Sequence, residues 1–272
     1  MKPRLLLAGA AIAGLAFACA TNPFTGKQSL NFVSNDQLFP SAFQQYDQFL
    51  KENKVITGTT DAQKVTNVGM KIKAAAEKWL NANGQAGYLN GYQWEYKLVD
   101  DKAVNAWCMP GGKIVVYTGI LPITKDEAGL ATVMGHEVSH ALANHGAQRM
   151  SASQLQALGA AGVAVATSSQ SSEKQQMWQQ YYGIGSNVGV MLPFSRSHES
   201  EADMIGLTLM AIAGYNPDQA VAFWSRMSAQ SGGGAPPEFL STHPSDATRI
   251  ANIRSLIPQA KAEAAKFGVN FK

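Results

Sequence analysis

Residues 133–140 read V-M-G-H-E-V-S-H, and this stretch limits the possible folds more than any other. Successive residues of an α-helix advance by about 100°, so His136 and His140 share one face. Their imidazole nitrogens can bind one metal ion there. Glu137 projects from an adjacent face and can reach a water molecule on that ion. The spacing therefore predicts a helix with two metal ligands and a general base, although such a motif also occurs on ordinary solvated helices.

The residues around the motif favour the metal interpretation. V-M-G precedes it and A-L-A follows it, which predicts a buried helix. Two histidines and a glutamate are costly to bury unless they are paired or bound to metal. Gly135, directly before His136, would also permit a neighbouring element to approach closely.

A catalytic zinc site usually has a third protein ligand, and the sequence H-E-S-E-A-D at 198–203 offers one. Glu199 and Asp203 are four residues apart and share a helix face. Glu199 can bind the metal, and Asp203 can accept a hydrogen bond from a ligating histidine. Taken alone, this cluster would be a charged helix N-terminus. His145 lies five residues after His140, about 140° round the same helix, which predicts a structural role.

The chain begins with the basic M-K-P-R, and Leu5 to Ala18 is apolar throughout. This run is short for a membrane span and is typical of a secretory signal. Cys19 follows it, as in a bacterial lipoprotein, so we predict a lipoprotein-type signal over residues 1–18 and a lipid anchor on Cys19. An ordinary cleaved signal with an incidental cysteine is the alternative. In that case, a bridge from Cys19 to Cys108 becomes possible.

Hydrophobic periodicity and turn residues predict an α+β fold that is predominantly helical and has a small antiparallel sheet. The strands are expected at 92–99 and 113–118, with a turn over 105–112 between them. Residues 19–33 should form a tether, and 34–272 the folded domain. The predicted helices span 34–53, 61–80, 126–147 and 197–213, and another runs from Asn216, its N-cap, to about 229.

Residues 151–190 change from Ala/Gly-rich to Ser/Gln-rich along their length. We interpret 151–183 as two helices joined by a mobile polar link. They form either a flap near the site or a plain solvent-exposed hairpin. The formal net charge of the chain is +3, with 22 basic and 19 acidic side chains. This near balance gives no electrostatic basis for a nucleic-acid partner.

Several motifs together resemble the M48 family of zinc metallopeptidases. They are G-H-E-V-S-H at 135–140, the E-x-x-A-D pattern at 199–203, A-G-Y-N-P at 213–217, and S-T-H-P-S at 241–245 with Arg249. The resemblance implies a zincin-like domain over 34–272 with one zinc ion per chain. It implies His136, His140 and Glu199 as metal ligands and Glu137 as the catalytic base. His243 would approach the metal site, either to stabilise the transition state or to block the zinc at rest.

The resemblance implies further roles. Asp203 and Arg249 would support the ligands, and Asn105 and Ala106 would bind substrate where the chain enters an active-site strand. The expected function is a zinc-dependent endopeptidase of the bacterial cell envelope that cleaves unfolded or misassembled envelope proteins. Strand 113–118 would pair with the substrate through its edge. The expected location is the outer membrane, facing the periplasm, with a soluble periplasmic protein as the alternative.

Two other functions are consistent with the same residues. One is a zinc-containing lipoprotein that acts as a chaperone or assembly factor, with latent or no protease activity. The other is a purely structural zinc site, against which the predicted open position and general base argue. The sequence predicts no particular oligomeric state.

Overall fold

The computed structural model describes residues 19–230, 237–245 and 247–271. Contacts among the described residues divide the chain into a core unit, residues 35–143 with those from 199 onward, and a hairpin unit, residues 19–34 with 144–198. The structure therefore divides the predicted domain 34–272, because residues 144–198 cluster with the N-terminal segment. The predicted signal, residues 1–18, lies outside the described residues, and so does the side chain of Cys19.

The strands, in chain order, are β1 (Cys19–Thr21), β2 (Gln28–Leu30), β3 (Val55–Ile56), β4 (Glu95–Val99), β5 (Ala106–Met109) and β6 (Lys113–Tyr117). The α-helices are α1 (Asn35–Glu52), α2 (Thr60–Ala82), α3 (Leu121–Thr124), α4 (Glu127–Leu142), α5 (His145–Ala166), α6 (Ser172–Ser186), α7 (Leu192–Ile212), α8 (Asp218–Ala229), α9 (Glu238–Thr242) and α10 (Ala247–Ala265). A 3₁₀ turn at Thr118–Ile120 precedes α3, and a π-helical turn at Asn187–Met191 precedes α7. The predominantly helical α+β class is confirmed.

The core unit contains a four-stranded sheet in the order β3-β4-β6-β5. Two of its strand pairs, β3–β4 and β5–β6, are antiparallel as expected, and β4–β6 is parallel. The predicted turn over 105–112 is wrong, because 106–109 form β5, and Gly111 and Gly112, both at positive φ, make the turn into β6. The predicted edge pairing along 113–118 is also wrong. β6 lies inside the sheet, and β5 is the edge strand.

Each face of this sheet packs against helices. Tyr46 of α1 forms a buried cluster with Val99, Val115 and Tyr117. On β4, the ring of Tyr96 lies where a Cβ on Gly69 of α2 would be, so this glycine permits the close approach of helix and sheet. The apolar side chains of the sheet are thus covered by the helices, and helix α4, which bears the H-E-x-x-H motif, packs close to β5.

The predicted helices form at the expected places, with one break. Thr59 Oγ1 accepts a hydrogen bond from Ala62 N at the start of α2, and Asn216 Oδ1 accepts one from Asp218 N at the start of α8. The single helix predicted over 126–147 is wrong. α4 ends at Leu142, and Asn144 has a left-handed backbone with φ 55° before α5 begins at His145. The prediction that His145 lies about 140° round the same helix therefore does not apply.

The hairpin unit begins with β1 and β2, which pair in antiparallel register. Residues 19–33 are therefore not simply the predicted extended tether. The Phe32 amide donates to Ser151 Oγ at 2.9 Å, which joins this segment to α5. Helices α5 and α6 confirm the prediction of two helices over 151–183. Among the described residues, no helix is both long enough and apolar enough to cross a membrane.

Candidate metal centre

Helix α4 is held at both ends by side-chain hydrogen bonds. At its start, Asp126 Oδ1 accepts from Gly129 N at 2.9 Å. At its end, Tyr88 Oη donates to Leu142 O at 2.6 Å, and Tyr92 Oη donates to Ala141 O at 3.2 Å. These tyrosines satisfy carbonyls that the helix itself cannot pair. The motif therefore lies on a fixed helix, buried from Gly129 to Leu142.

Two glycines bring α4 against α7. A Cβ on Gly135 would lie 3.0 Å from Gly206 O, and a Cβ on Gly206 would lie 2.9 Å from His136 N. Any larger residue would therefore push the two backbones apart. The prediction that Gly135 permits a close approach is confirmed, and this approach places Glu199 and Asp203 beside the two histidines of α4.

Four candidate ligands from three segments converge on one point. They are His136 and His140 of α4, Glu199 of α7, and His243 at the end of α9. His136 Nε2 lies 3.1 Å from His140 Nε2 and 3.1 Å from His243 Nδ1. Glu199 carboxylate oxygens lie 3.3 Å from both Nε2 atoms and 3.0 Å from His243 Nδ1.

These distances fit a tetrahedral ion. Donors about 2.0–2.1 Å from a tetrahedral zinc ion would lie about 3.3 Å apart. Three imidazole nitrogens and one carboxylate oxygen form a donor set that zinc prefers. The described residues therefore fit zinc in both spacing and chemistry, and His243 Nδ1 lies beside the other candidate ligands, where a catalytic site usually leaves a position open.

The charges in the cluster also favour a cation. Burial alone would lower the pKa of His136, yet hydrogen bonds with Asp203 and Glu199 raise the pKa to about 9. Burial alone would raise the pKa of Glu199, but hydrogen bonds from His136, His140 and His243 hold it well below its usual value. The carboxylates that favour a proton on His136 would equally favour a metal ion at its Nε2 atom.

A second set of contacts orients the ligands. Asp203 Oδ1 lies 3.0 Å from His136 Nδ1, which leaves Nε2 directed at the cluster. Arg249 Nε and Nη2 each donate to Asp203 at 2.8 Å, and Nη1 donates to Pro244 O at 2.9 Å. Arg249 therefore ties the carboxylate behind His136 to the loop that carries His243. Its positive charge also keeps the pKa of Asp203 below the usual value, against the effect of burial.

Glu137 lies beside the ligands and does not join them. It is buried, and its Oε1 atom is 3.4 Å from His243 Nε2. The Cys108 thiol of β5 has a pKa well above its usual value because of burial and the nearby Glu137 charge. Glu137 therefore lies next to His243, and Cys108 is a free cysteine on the edge strand.

Asn105 and Ala106 lie at the start of β5. The Asn105 side chain donates to Glu238 Oε1 at 2.9 Å and accepts from the Ala106 amide. Phe239 N donates to Val104 O at 3.1 Å, and the Phe239 ring lies 4.7 Å from that of His243. These contacts connect Asn105 and Ala106 to the metal cluster through α9. Substrate binding by either residue stays a prediction.

Sequence reasoning missed the aromatic support of the site. The Arg249 guanidinium lies 3.7 Å from the Trp224 ring centroid, and the same indole lies edge-on to His136 at 5.6 Å. Phe239 completes this group, 5.8 Å from Trp224. No spacing in the sequence indicates these contacts, because Trp224 belongs to an ordinary amphipathic helix whose partner cannot be read from its own pattern.

His145 and His198 take no part in the cluster. Both are buried in the hairpin unit, with stacked rings 4.0 Å apart, and His198 Nε2 lies 3.0 Å from Gln148 Oε1. The prediction of a structural role for His145 agrees with this position. The reason given for it is wrong, because His145 begins a separate helix and does not continue the helix of His140.

Comparison with known proteins identifies the family. The model of peptidase family M48 matches residues 67–257, which include every residue of the cluster. The chain belongs to this family. Membership agrees with the donor set, because M48 metalloproteases use zinc.

Curated relatives include the mitochondrial metalloendopeptidase OMA1 of Schizosaccharomyces pombe, 37% identical over 64% of this chain and 50% of that protein. OMA1 of Bos taurus is 31% identical over 88% of this chain and 46% of that protein. The β-barrel assembly-enhancing protease of Escherichia coli is 28% identical over 62% of this chain and 35% of that protein. The chain thus spans about half the length of the OMA1 relatives it matches, and less of the bacterial one.

These relatives correct the predicted location. The OMA1 proteins are described as mitochondrial and come from eukaryotes. The expectation of a bacterial outer-membrane lipoprotein facing the periplasm, or of a soluble periplasmic protein, is therefore wrong. The family assignment does not depend on that expectation and stands.

Proposed function

We propose that this chain is a zinc metalloendopeptidase whose zinc ion is held by His136, His140 and Glu199, with Glu137 as the general base. The convergence of His136, His140 and Glu199 from two helices is the observation that carries the proposal. The names of the OMA1 relatives support the reaction class. A structural zinc site would need no buried carboxylate beside the ligands, whereas hydrolysis does.

The roles of the chain's own residues follow from their positions. When bound, zinc would supply Lewis-acid polarisation of the scissile carbonyl and acidify the attacking water. Glu137 would accept the proton of that water and pass it to the leaving amine. Asp203 would hold His136 in the tautomer that leaves Nε2 free to bind metal, and Arg249 would hold Asp203.

The test is cleavage of unfolded casein by the purified chain, with bound zinc measured on the same samples. Glu137→Gln should retain zinc and lose about 10²–10⁴-fold in rate, the usual contribution of a general base. Glu127→Gln, on the same helix, is the matched control and should remain active. The proposal would be wrong if zinc were bound normally and cleavage were equal, or absent, in both the wild type and Glu137→Gln.

The proposed substrates are unfolded or misassembled polypeptides, as in quality control. The free edge of the sheet supports this class, since only a loosely folded chain can supply an extended strand. Directly before β5, Asn105 O accepts from Tyr117 N, so the alternate residues Ala106 and Cys108 direct their backbone groups away from β6. The name of the Escherichia coli relative, an assembly-enhancing protease, agrees with such a role.

Proline at position 108 tests this strand. Cys108→Pro would remove an outward amide while sparing the ladder with β6, and we expect the KM for casein to rise at least severalfold with zinc unchanged. Cys108→Ala controls for loss of the thiol. An unchanged KM in a folded, zinc-containing Cys108→Pro protein would refute pairing along β5.

A latent enzyme is the second candidate, and the position of His243 favours it. His243 Nδ1 lies 3.1 Å from His136 Nε2 and 3.0 Å from Glu199 Oε2, so a resting site with His243 on the zinc would have no open position. His243→Ala should then keep zinc and cleave casein faster than the wild type. A slower His243→Ala enzyme would show instead that this histidine acts in the reaction, and an unchanged rate would remove both roles.

A lipid anchor on Cys19 also stays a prediction. The intact mass of the protein extracted from its native membrane tests it. The predicted result is the mass of a chain that begins at Cys19 and carries acyl groups. An unmodified cysteine would refute it.

A further inference from the structure

The outer face of α6 is apolar. Met177, Tyr181, Ile184 and Val188 follow one another at spacings of four, three and four residues, which places them in one stripe along the helix and the π-helical turn after it. They are 39–62% exposed, and Trp178 beside them is 48% exposed. A helix on the surface of a soluble protein normally directs such a stripe into the core.

Polar side chains lie instead between the two helices of the hairpin. Gln179 Nε2 donates to Ala160 O at 2.9 Å, and Tyr182 Oη donates to Gln156 O at 3.0 Å. Gln156 Nε2 in turn donates to Ser186 Oγ at 2.8 Å. Gly159 lies against Tyr182, where a Cβ would overlap the phenol oxygen. The α5–α6 pair is thus joined by hydrogen bonds and a small residue.

This arrangement is the reverse of ordinary patterning in water. Helices in contact with lipid associate through small residues and interhelical hydrogen bonds and keep their apolar side chains on the outside. Leu158 and Val165 of α5 are also exposed, at 68% and 76%. An exposed apolar stripe like that of α6 marks an interaction site.

The charge pattern distinguishes a bilayer from a typical protein partner. From Met150 to Ser195 the sequence has only two charged residues, the neighbours Glu173 and Lys174, whose charges cancel. Arg149 and Arg196 stand at the two ends of this segment. Cations flanking an uncharged apolar segment, with Trp and Tyr on its outer face, are typical of membrane interfaces.

We propose that the hairpin of α5, α6 and the π-helical turn docks on a lipid bilayer, with the exposed apolar stripe of α6 and the π-helical turn at the headgroup–acyl boundary. The 15 residues of α6 are about 22 Å long, shorter than the roughly 30 Å of a hydrocarbon core. The hairpin therefore lies in the interface and does not span it. A cavity of about 480 Å³ lies in the same unit, lined by apolar side chains that include Leu30, Leu155, Met191 and Phe194.

The position of this hairpin in the chain supports a bilayer as the occupant. Its unit begins with β1, directly after the apolar run Leu5–Ala18. Either that run, or the lipid predicted on Cys19, would bring the hairpin unit to a membrane. The proposal does not depend on the proposed peptidase activity, since none of these residues belongs to the metal cluster.

The test is flotation of the full chain with phosphatidylcholine vesicles. All proteins carry Ile12→Asp and Leu15→Asp, so that the run Leu5–Ala18 contributes nothing. We expect the parent to float and the combined variant Tyr181→Ser, Ile184→Ser, Val188→Ser to partition at least about tenfold less. Because the charges of residues 150–195 cancel, added anionic lipid should change parent binding little.

Two single substitutions at equally exposed apolar residues test whether exposure alone accounts for vesicle binding. Ile184 and Met70 are 55% and 57% exposed, and Met70 lies on α2. Ile184→Ser should weaken flotation severalfold, and Met70→Ser should not change it. The blue shift of tryptophan emission on vesicle addition should be largely lost in Trp178→Phe. Equal zinc content in all proteins shows that the core unit is folded.

Three results would overturn the proposal. They are a parent that does not float, a combined variant that floats equally well, and equal effects of Ile184→Ser and Met70→Ser. A dimer by light scattering that the combined variant dissociates, without flotation of the parent, would assign the surface to a second copy of the chain.

Discussion

The helix pairs α4–α7 and α5–α6 depart from ordinary patterning in opposite directions. In the first pair, glycines bring two backbones together and titratable side chains are buried between them. In the second pair, uncharged polar side chains join the helices and apolar side chains face outward. Each arrangement is costly in a soluble protein by itself, the first through buried charge and the second through exposed apolar surface.

The difference between the pairs shows which partner each one needs. Buried carboxylates and imidazoles at 3.0–3.3 Å are stabilised by a cation. An uncharged apolar surface is stabilised by lipid. Sites where local rules are broken are where function is expected, because the cost is offset only when the partner is bound. Substitutions can therefore test each side of this comparison separately.

The largest expected effect is on zinc binding by the helix pair α4–α7. Glu199→Ala removes one of the four candidate ligands, the carboxylate that would balance the charge of a bound ion. We expect loss of bound zinc by elemental analysis and loss of all measurable casein cleavage. Glu173→Ala, an exposed carboxylate of the hairpin, should change neither. Normal zinc content in Glu199→Ala would show that another residue is the third ligand.

A smaller effect on zinc binding is expected at Asp203, which contacts the candidate ligand His136. Asp203→Asn keeps the shape but removes the charge that faces His136 Nδ1 and Arg249. Outer contacts of this kind typically contribute 10–100-fold to metal affinity, so zinc should bind about that much more weakly in competition with a chelator. Asp61→Asn, at an exposed ion pair, is the control. Unchanged affinity in Asp203→Asn would assign the carboxylate a purely structural role.

The smallest effect compares one glycine from each helix pair. Gly135→Ala places a Cβ 3.0 Å from Gly206 O and should lower the free energy of unfolding by about 1–2 kcal/mol. Gly162 of α5 has open space around it, so Gly162→Ala should leave stability unchanged or raise it by up to about 1 kcal/mol. Chemical denaturation measures both. A stabilising Gly135→Ala would contradict the close contact of α4 with α7.

Much of the candidate site could be predicted from the sequence because its chemistry is local. His136, Glu137 and His140 lie within two helical turns, and Glu199 and Asp203 are spaced one turn apart, so helix geometry alone places each set. His243 and Arg249 required the family resemblance, since a histidine before a proline has no helical spacing to interpret. Trp224 could not be found, because it reaches Arg249 only through tertiary packing.

The errors in the fold have physical causes as well. The sequence predicts a turn over 105–112 because it contains Pro110, Gly111 and Gly112, and a four-residue strand gives little periodic signal. Because the sequence does not predict β5, it also does not predict that β4 and β6 pair in parallel or that β5 is the edge strand. The break between α4 and α5 depends on the left-handed backbone of Asn144, which an apolar pattern does not reveal.

The central claim is that His136, His140 and Glu199 hold one zinc ion. X-ray absorption at the zinc edge of the purified chain measures this most directly. We predict one zinc per chain with only nitrogen and oxygen neighbours at about 2.0–2.1 Å and with the scattering of at least two imidazole rings. A sulfur neighbour at about 2.3 Å, or fewer than two imidazole rings, would contradict the account.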